Sequence, residues 1–518
     1  MSAPAVPGSV TLARVASAAE AAALDARAIA AGTSARTLMQ RAGDAAAAAI
    51  RRAYPEVVGA TVNVYVGPGN NGGDGWVVAR ALSGFGARVF VGEVGESRSD
   101  ESRAERERAQ RMVTRGESSD AQLIVDALLG VGAKGEPRGD IAASIAKIAA
   151  ARARGTVVVS LDVPSGVDAD TGASAGAVRA DLTLTFGTLK RGLAIARGSA
   201  GRIVVLDIGV GGAGVDDTLP QLIDSHWVHA HVPPIPVDAH KGTRGKLIII
   251  GGQMGMAGAP MLAARAAIRS GIGMVRLVVA RENLPVVQGA VPEAPAHAWP
   301  ESAADVERTI TEWADAVVIG PGLGASYGSR ALVDRVLRDF RGPVVLDADA
   351  LNVFAGEPEA LGELLGDRAA LLTPHPAEFA RLLGVHSNDV LARRFEIGVE
   401  LATRTRATVL LKGVPTVIAT GAGERLVSCT GTPVLAAGGS GDLLAGIAGT
   451  LLAQIGIALT AGACAAWVHG RAAEIAGRGH VRGVTFANLD LALRRVWNEP
   501  LRALEPPVLG ELPAVGAR

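Results

Sequence analysis

Thr61-Val62-Asn63-Val64-Tyr65-Val66-Gly67-Pro68-Gly69-Asn70-Asn71-Gly72-Gly73-Asp74-Gly75 runs directly into the apolar stretch Trp76–Leu82. Residues rich in β-branched side chains, then dense glycine, then a helix-like apolar run predict one strand–turn–helix unit of a parallel α/β sheet. Glycines allow close backbone approach, and the N–H groups opening a helix are available to a phosphate. A tight turn also uses glycine for its conformational freedom. The two asparagines and the aspartate add side-chain oxygens that a turn does not need.

Outward from this unit, β-branched runs alternate with helical stretches. Thr61–Val66, Ala87–Gly92, Leu123–Leu129, Thr156–Val163, Leu182–Phe186 and Ile203–Ile208 are the predicted strands, which implies a doubly wound parallel sheet. Arg36–Tyr54 reads as an alanine-rich helix, and Glu101–Arg115 is charged enough to read as a solvated helix face or a mobile arm. Two more strand ends carry polar groups: Asp126, and Asp162 with Ser165. The carboxyl ends of parallel strands line one crevice, so Asn71, Asp126, Asp162 and Ser165 can converge there. An oxygen-only set suits a hard cation rather than zinc or copper, with capping as the plainer role for Asp162 or Ser165.

Between Gly209 and Val237 the alternation breaks into glycine and then proline, which places a domain boundary near residue 222, between units 1–222 and 223–518. The α/β rhythm then resumes, with strands predicted at Lys246–Ile250, Met274–Val279, Ala316–Ile319, Val344–Ala348, Leu371–Thr373 and Thr408–Lys412. Here Ala436-Ala437-Gly438-Gly439-Ser440-Gly441-Asp442 precedes the apolar run Leu443–Leu452. Free N–H groups at that helix start form an anion hole, and Asp442 at its mouth can deprotonate a hydroxyl that attacks a phosphoryl group. The plainer reading is an N-cap. The motifs of the halves differ, so the chain reads as a fusion of two enzymes rather than a duplication.

Composition removes whole classes of function. Lys+Arg and Asp+Glu are both 51 and aromatics only 3%, so there is no basic, stacking-rich surface for nucleic acid. Cys429 and Cys464 are the only cysteines, too few for a disulfide framework or a four-cysteine zinc site, which favours a reducing compartment. Met1–Val10 lacks the pattern of a secretory leader, and the apolar runs Ala45–Ile50 and Ala458–Val468 are too short to span a bilayer, so a cytoplasmic location is expected. Positive charge is almost all arginine; lysine occurs only at 134, 147, 190, 241, 246 and 412, where a compact point charge is one explanation and chance the other.

The Asn-Asn-Gly-Gly-Asp-Gly segment, Asp126-Ala127-Leu128-Leu129-Gly130, Asp162-Val163-Pro164-Ser165-Gly166 and Thr185-Phe186-Gly187 leading to Lys190 resemble the NAD(P)HX epimerase family over most of residues 1–222. The resemblance implies a Rossmann-like fold acting on a nicotinamide ring hydrated at C6. It implies potassium held by Asn71, Asp126 and Ser165, and substrate lying across Asn70, Asn71, Gly72, Gly73 and Asp74, the loop Gly130, Val131, Gly132, Ala133, Lys134, Gly135 and Glu136, and Asp162. Inversion at C6 passes through loss and return of hydroxide or through ring opening, and either needs a proton shuttle, here assigned to Asp162. Lys190 is a candidate partner of a substrate phosphate.

Around Asp442 stand His240-Lys241-Gly242, Gly320-Pro321-Gly322-Leu323-Gly324, Asp347-Ala348-Asp349, Thr373-Pro374-His375-Pro376 and Lys412-Gly413-Val414-Pro415-Thr416. Together these resemble the ADP/ATP-dependent NAD(P)HX dehydratase family, of ribokinase-like fold, across roughly residues 225–500. By that resemblance Lys412, Gly413, Val414, Pro415, Thr416 and Gly441 contact the nucleotide, ADP or ATP with magnesium. Ile272, Gly324, His375 and Asp442 contact NADHX or NADPHX. The implied reaction phosphorylates the C6 hydroxyl and then expels phosphate; a homo-oligomer is also implied. His375 equally suits a helix cap, and His469, on the predicted helix Ala461–Ile475, reads as structural.

The sequence departs from the dehydratase pattern at Thr432, Val434 and Ile272, where asparagine, glycine and alanine are usual; nucleotide or substrate fit is at stake, not Asp442. Two rival readings share some features. A ribokinase-like small-molecule kinase fused to a Rossmann-type domain uses the same anion hole but gives Asn70–Asp74 no linked task. A binding or scaffold protein has no use for Asn71, Asp126 and Asp162 together.

Overall fold

The computed structural model describes residues 12–210, 218–478, 480–501 and 504–515. The leader question at Met1–Val10 and most of the glycine-rich run after Gly209 lie outside the described residues. The chain divides into two compact units, Val10–Leu222 with Arg502–Gly516, and Ile223–Leu501.

In the first unit the strands β1 (Thr61–Val66), β2 (Arg88–Glu93), β3 (Thr114–Arg115), β4 (Leu123–Ala127), β5 (Val157–Leu161), β6 (Leu182–Phe186) and β7 (Arg202–Leu206) form a parallel sheet in the order β7-β6-β5-β4-β1-β2-β3. The reversal of order beside β1 puts the end of that strand at a switch point, where such sheets bind ligands. Helices α1 (Ala18–Ala30), α2 (Ala35–Ala53), α3 (Asn70–Gly84) and α4 (Asp100–Ala109) belong to this unit. In α2 the residues Leu38, Met39, Ala42, Gly43, Ala46, Ala47 and Ile50 are buried at the spacing of one helical face. The charged segment expected to be solvated is instead anchored along α4. Glu105 is fully buried and takes Arg36 at 2.8 Å, Gln40 at 2.7 Å and Arg108 at 3.2 Å. A carboxylate surrounded by that many donors is stable out of water, which charge counting along the sequence does not reveal.

In the second unit β8 (Lys246–Ile250), β9 (Met274–Val279), β10 (Ala296–Ala298), β11 (Ala316–Ile319), β12 (Val344–Leu346), β13 (Ala370–Leu372), β14 (Thr408–Leu411), β15 (Thr416–Ala419) and β16 (Arg425–Ser428) lie in the order β16-β15-β14-β13-β12-β11-β8-β9-β10. Strands β14, β15 and β16 pair antiparallel and the others parallel. Helices α5 (Gly258–Arg269), α6 (Pro376–Leu383), α7 (Ser440–Ile455) and α8 (Ala458–Gly477) pack on it. From Leu443 to Leu452 every residue of α7 is buried, which is why its apolar pattern is unbroken rather than amphipathic.

The last strand, β17 (Val508–Leu512), pairs antiparallel with β7 of the first unit. This segment therefore groups with the first unit. A short strand following a proline pair carries no sign of which sheet it joins. Among the described residues, no helix is long and apolar enough to cross a membrane.

Truncating the chain after residue 503 removes β17 and leaves β7 as an open edge that has lost the burial of Leu512. Amide exchange across residues 202–206 should accelerate by about 30-fold, equivalent to about 2 kcal/mol for one leucine-sized side chain, with the strands of the second unit unaffected. Mass-spectrometric hydrogen exchange on both forms tests this.

Candidate active sites

Gly69 is extended and α3 starts at Asn70, so the stretch expected as a loop before Trp76 is the first turn and a half of the helix. Glycine disfavours helix in isolation, but here packing demands it: a Cβ on Gly72 would lie 1.9 Å from the carbonyl oxygen of Gly67. The helix N-terminus is thereby pressed against the end of β1. Asn71 is buried, its Nδ2 donates to the Leu129 carbonyl at 2.8 Å, and its Oδ1 has no hydrogen-bond partner among the described residues.

Next to it Asp126, at the end of β4, is fully buried. Ser160 Oγ and Ser165 N donate to its Oδ2 at 2.8 and 2.9 Å, and Ser165 Oγ to its Oδ1 at 2.5 Å. Ser165 Oγ in turn accepts from Leu129 N at 2.9 Å. Burial raises the carboxyl above its ordinary range, and these donors oppose the shift. One carboxylate surrounded by neutral oxygens, one of them the unpartnered amide oxygen of Asn71, is a donor set that fits a hard, singly charged cation.

Asp162 follows β5 with φ of 62°, a strained value for a residue with a side chain. Its amide donates to the Leu184 carbonyl at 2.7 Å, and its Oδ1 lies 2.6 Å from Lys190 Nζ and 3.3 Å from Thr185 Oγ1. Lys190 is buried and also donates to the Phe186 carbonyl at 2.8 Å. These groups open onto a cavity of about 610 Å³ lined by Asn70, Asn71, Asp74, Gly130, Val131, Gly132, Ala133, Asp162, Lys190 and, from α1, Asp25. Burial pushes the Asp74 carboxyl well above the usual range; Asp162 and Asp25 add to this and Lys190 opposes it.

Of the residues expected at this site, Gly72 and Gly73 are buried beneath the cavity and shape the backbone, while Lys134, Gly135 and Glu136 are exposed and outside its lining. Lys190 is committed to Asp162 rather than offered freely to a phosphate. Asp25 went unnoticed because an acidic residue on an alanine-rich helix carries no motif.

In the second unit Lys412, at the end of β14, lies 2.5 Å from Asp347 Oδ1, which also accepts from Thr373 Oγ1 at 2.7 Å. Burial alone would lower the lysine; Asp347, Glu378 and Asp442 outweigh it and hold the ammonium above its ordinary value. A Cβ on Gly441 would stand 3.3 Å from Lys412 Nζ, so the first turn of α7 rests on the ammonium group. Asp442, in that same turn, is pushed up to about 7, first by burial and then by Asp347, with Lys412 opposing. The segment after Lys412 turns through Gly413, Val414 and Pro415; Thr416 Oγ1 donates to the Gly413 carbonyl at 3.0 Å, and Arg394 holds the Val414 carbonyl. Gly324 N donates to Asp349 Oδ2 at 2.7 Å.

His375 caps α6: its Nδ1 accepts from Ala377 N at 3.1 Å and Glu378 N at 3.3 Å, and its Nε2 lies 3.3 Å from Glu378 Oε1. Ile272 is 5% exposed and belongs to the hydrophobic core against Gly245, so its side chain is not a ligand contact and only its main chain could be. His469 is buried in α8 near Lys412 and the Ser440 backbone, and burial with Lys412 lowers its imidazole to about 4.

Two α/β units, one with an ion-paired aspartate in a polar cavity, the other with an aspartate and a half-buried lysine at a helix N-terminus, define an enzyme with an acid–base site and a group-transfer site in one chain. Residues 247–494 match the family model for NAD(P)H-hydrate dehydratase, and residues 35–192 that for the YjeF-related protein N-terminus. The bifunctional NAD(P)H-hydrate repair enzyme of Coxiella burnetii is 37% identical over 415 residues, 76% of this chain and 81% of that protein. The Escherichia coli K12 enzyme of the same name is 37% identical over 399 residues, 74% of each chain. Among solved structures, the ADP/ATP-dependent NAD(P)H-hydrate dehydratase of Bacillus subtilis, co-crystallised with ATP and Mg2+, is 32% identical with a TM-score of 0.47, covering 53% of this chain and 96% of that one. The chain belongs to the bifunctional NAD(P)H-hydrate repair enzymes, with an epimerase unit and a dehydratase unit in one polypeptide.

The raised Asp442 makes stability depend on pH. A carboxyl whose folded pKa is about 7 favours the fold fully below its unfolded value, and that contribution is lost as pH rises to about 7. Asp442→Asn removes the charge, so the variant should match the wild-type melting temperature near pH 4 and exceed it by a margin that grows up to pH 7 and then levels off. A constant difference across that range would contradict the burial argument.

Proposed function

We infer that the first unit interconverts the C6 epimers of NADHX and NADPHX, and that the second transfers a phosphoryl group from ADP or ATP to the C6 hydroxyl of one epimer and then expels phosphate. The observation that carries this reading is the position of Asp442, in the first turn of α7 beside the half-buried Lys412 paired with the buried Asp347. Hydroxide is a poor leaving group and phosphate a good one, which the lone pair of the ring nitrogen can push out. Asp442, with a carboxyl near 7, is suited to take the hydroxyl proton as the oxygen attacks. Free N–H groups of α7 and the Lys412 ammonium face the charge that develops on the phosphoryl oxygens.

In this reading Lys412, Gly413, Val414, Pro415, Thr416 and Gly441 hold the nucleotide. Gly324, His375 Nε2, Asp442 and the main chain at Ile272 hold the hydrate. Asp347 Oδ2, which makes no hydrogen bond among the described residues, is the oxygen available to a magnesium ion on the phosphates; the ion would neutralise their charge during transfer. In the first unit Asn71, Asp126 and Ser165 hold potassium, the substrate lies against Asn70, Asp74 and Gly130–Ala133, and Asp162 moves the proton. A cytoplasmic location and a homo-oligomeric assembly belong to the same reading. It is supported for the first by a sequence with only two cysteines, both buried, and by family likeness for the second.

The test supplies purified protein with both NADHX epimers, magnesium, potassium and either nucleotide, and follows NADH absorbance. Wild type should convert nearly all the hydrate. Asp442→Ala should form no NADH, and Asp162→Ala should stop near the fraction of the accepted epimer, apart from slow spontaneous epimerisation. Absence of NADH with either nucleotide would favour a small-molecule kinase instead, and full conversion by Asp162→Ala at the wild-type rate would overturn the assignment of Asp162.

A further inference from the structure

The geometry points to Asp25 as a second catalytic residue of the epimerase, a carboxyl that exchanges a proton with the reacting ring from the helical wall of the cavity while Asp162 works from the strand-end wall. This rests on the epimerase reading of the first unit and adds to it.

The argument begins with how α1 is held. Val15 and Ala16, just ahead of it, pair in parallel with Leu189 and Lys190. Ala18 N donates to Asp170 Oδ1 at 2.6 Å, and Glu20, which closes the capping box with Ser17, lies 3.2 Å from Arg191. The start of α1 is thus fastened to the segment containing Lys190 and to the loop that follows Asp162. Two turns further along, Asp25 reaches the cavity lining together with Ala21, Leu24 and Asp162.

The Asp25 carboxyl makes no hydrogen bond or ion pair among the described residues. It sits within electrostatic reach of Lys190, Asp162 and Asp74, where repulsion between acids costs stability unless one of them holds a proton. A role in the fold does not account for it. Although the residue is open to solvent on its helix, lost hydration in the cavity raises its carboxyl; Lys190 opposes this and Asp162 adds to it. Asp162 is instead ion-paired with Lys190 at 2.6 Å. Two carboxyls with environments that differ in this way suit an acid–base pair.

The chemistry calls for two groups. In ring opening, Asp162 takes the C6 hydroxyl proton, the C6–N1 bond breaks with its electron pair passing to N1, and N1 takes a proton from the Asp25 carboxyl. The product is a C6 aldehyde and a ring-opened N–H. Rotation about C5–C6 presents the other carbonyl face; N1 then attacks, returns its proton to Asp25, and the new C6 oxygen takes one from Asp162. Atoms and charge balance and no co-reactant is consumed. The oxygen is exocyclic on C6 and N1 lies in the ring, so a second carboxyl on a different wall of the cavity is the useful arrangement. Asp74, in the first turns of α3, rises from the same side as Asn71.

The full-length protein is given both NADHX epimers with magnesium, potassium and nucleotide, so that the accepted epimer yields a fast phase of NADH and the other a slow, epimerase-limited phase. For Asp25→Asn we expect kcat of the slow phase to fall by about 100-fold or more, with KM for that epimer within about threefold of wild type and the fast phase unchanged. Asp25→Glu should recover part of the rate, and formate should rescue Asp25→Gly in proportion to its concentration. Asp25→Asn at the wild-type slow-phase rate would overturn the proposal, as would a loss that formate and glutamate both fail to restore. Failure of wild type itself to exceed spontaneous epimerisation would instead overturn the epimerase reading, so the two failures are distinguishable.

Discussion

Each unit is organised around one lysine, buried in the first and half-buried in the second, held against one aspartate at the end of a parallel strand. Lys190 lies 2.6 Å from Asp162 and Lys412 lies 2.5 Å from Asp347. A buried ammonium is costly without a partner, and a buried carboxylate equally so. Each pair therefore fixes where its strand end and the following segment must sit, and the rest of the site is arranged by what the pair leaves unsatisfied. In the first unit that is the acid Asp74 with Asp25 opposite; in the second it is Asp442. Lysine is rare in a chain whose positive charge is otherwise arginine. Lys412 lies beneath the N-terminus of α7 and Lys190 between Asp162 and the Phe186 carbonyl; in either place a planar guanidinium with its five donors would need more room and more acceptors.

The two pairs do different work because their surroundings differ. Lys190 also donates to the Phe186 carbonyl, so it is held between that oxygen and Asp162. Lys412 lies against Gly441 in the first turn of α7, so its charge adds to that of the free N–H groups there. In the proposed reading, the same two residue types at strand ends of similar sheets serve proton transfer in one unit and phosphoryl transfer in the other.

Most strands and both glycine-rich helix starts were legible in the sequence, because parallel strands buried on both faces read as unbroken β-branched runs and helix starts that approach a strand end need glycine. Three features were not. The Asn70–Asp74 segment read as a loop because glycine propensity was weighed without the contact between Gly72 and Gly67 that overrides it. The strands β15, β16 and β17 were missed because antiparallel strands of four or five residues lack the long apolar runs of the central ones. Ile272 was assigned to the site through family position, whereas its burial against Gly245 puts its side chain in the core.

His375 shows how structural and chemical roles share one residue. As the cap of α6 it accepts through Nδ1 from two backbone amides, which requires that nitrogen to be unprotonated and so puts the proton on Nε2. Burial lowers the imidazole further, and Lys412 adds to this while Glu378 opposes it. Capping therefore selects the tautomer that presents an N–H donor. A cap and a ligand contact, weighed as alternatives from the sequence, are compatible, because the first orients the ring for the second.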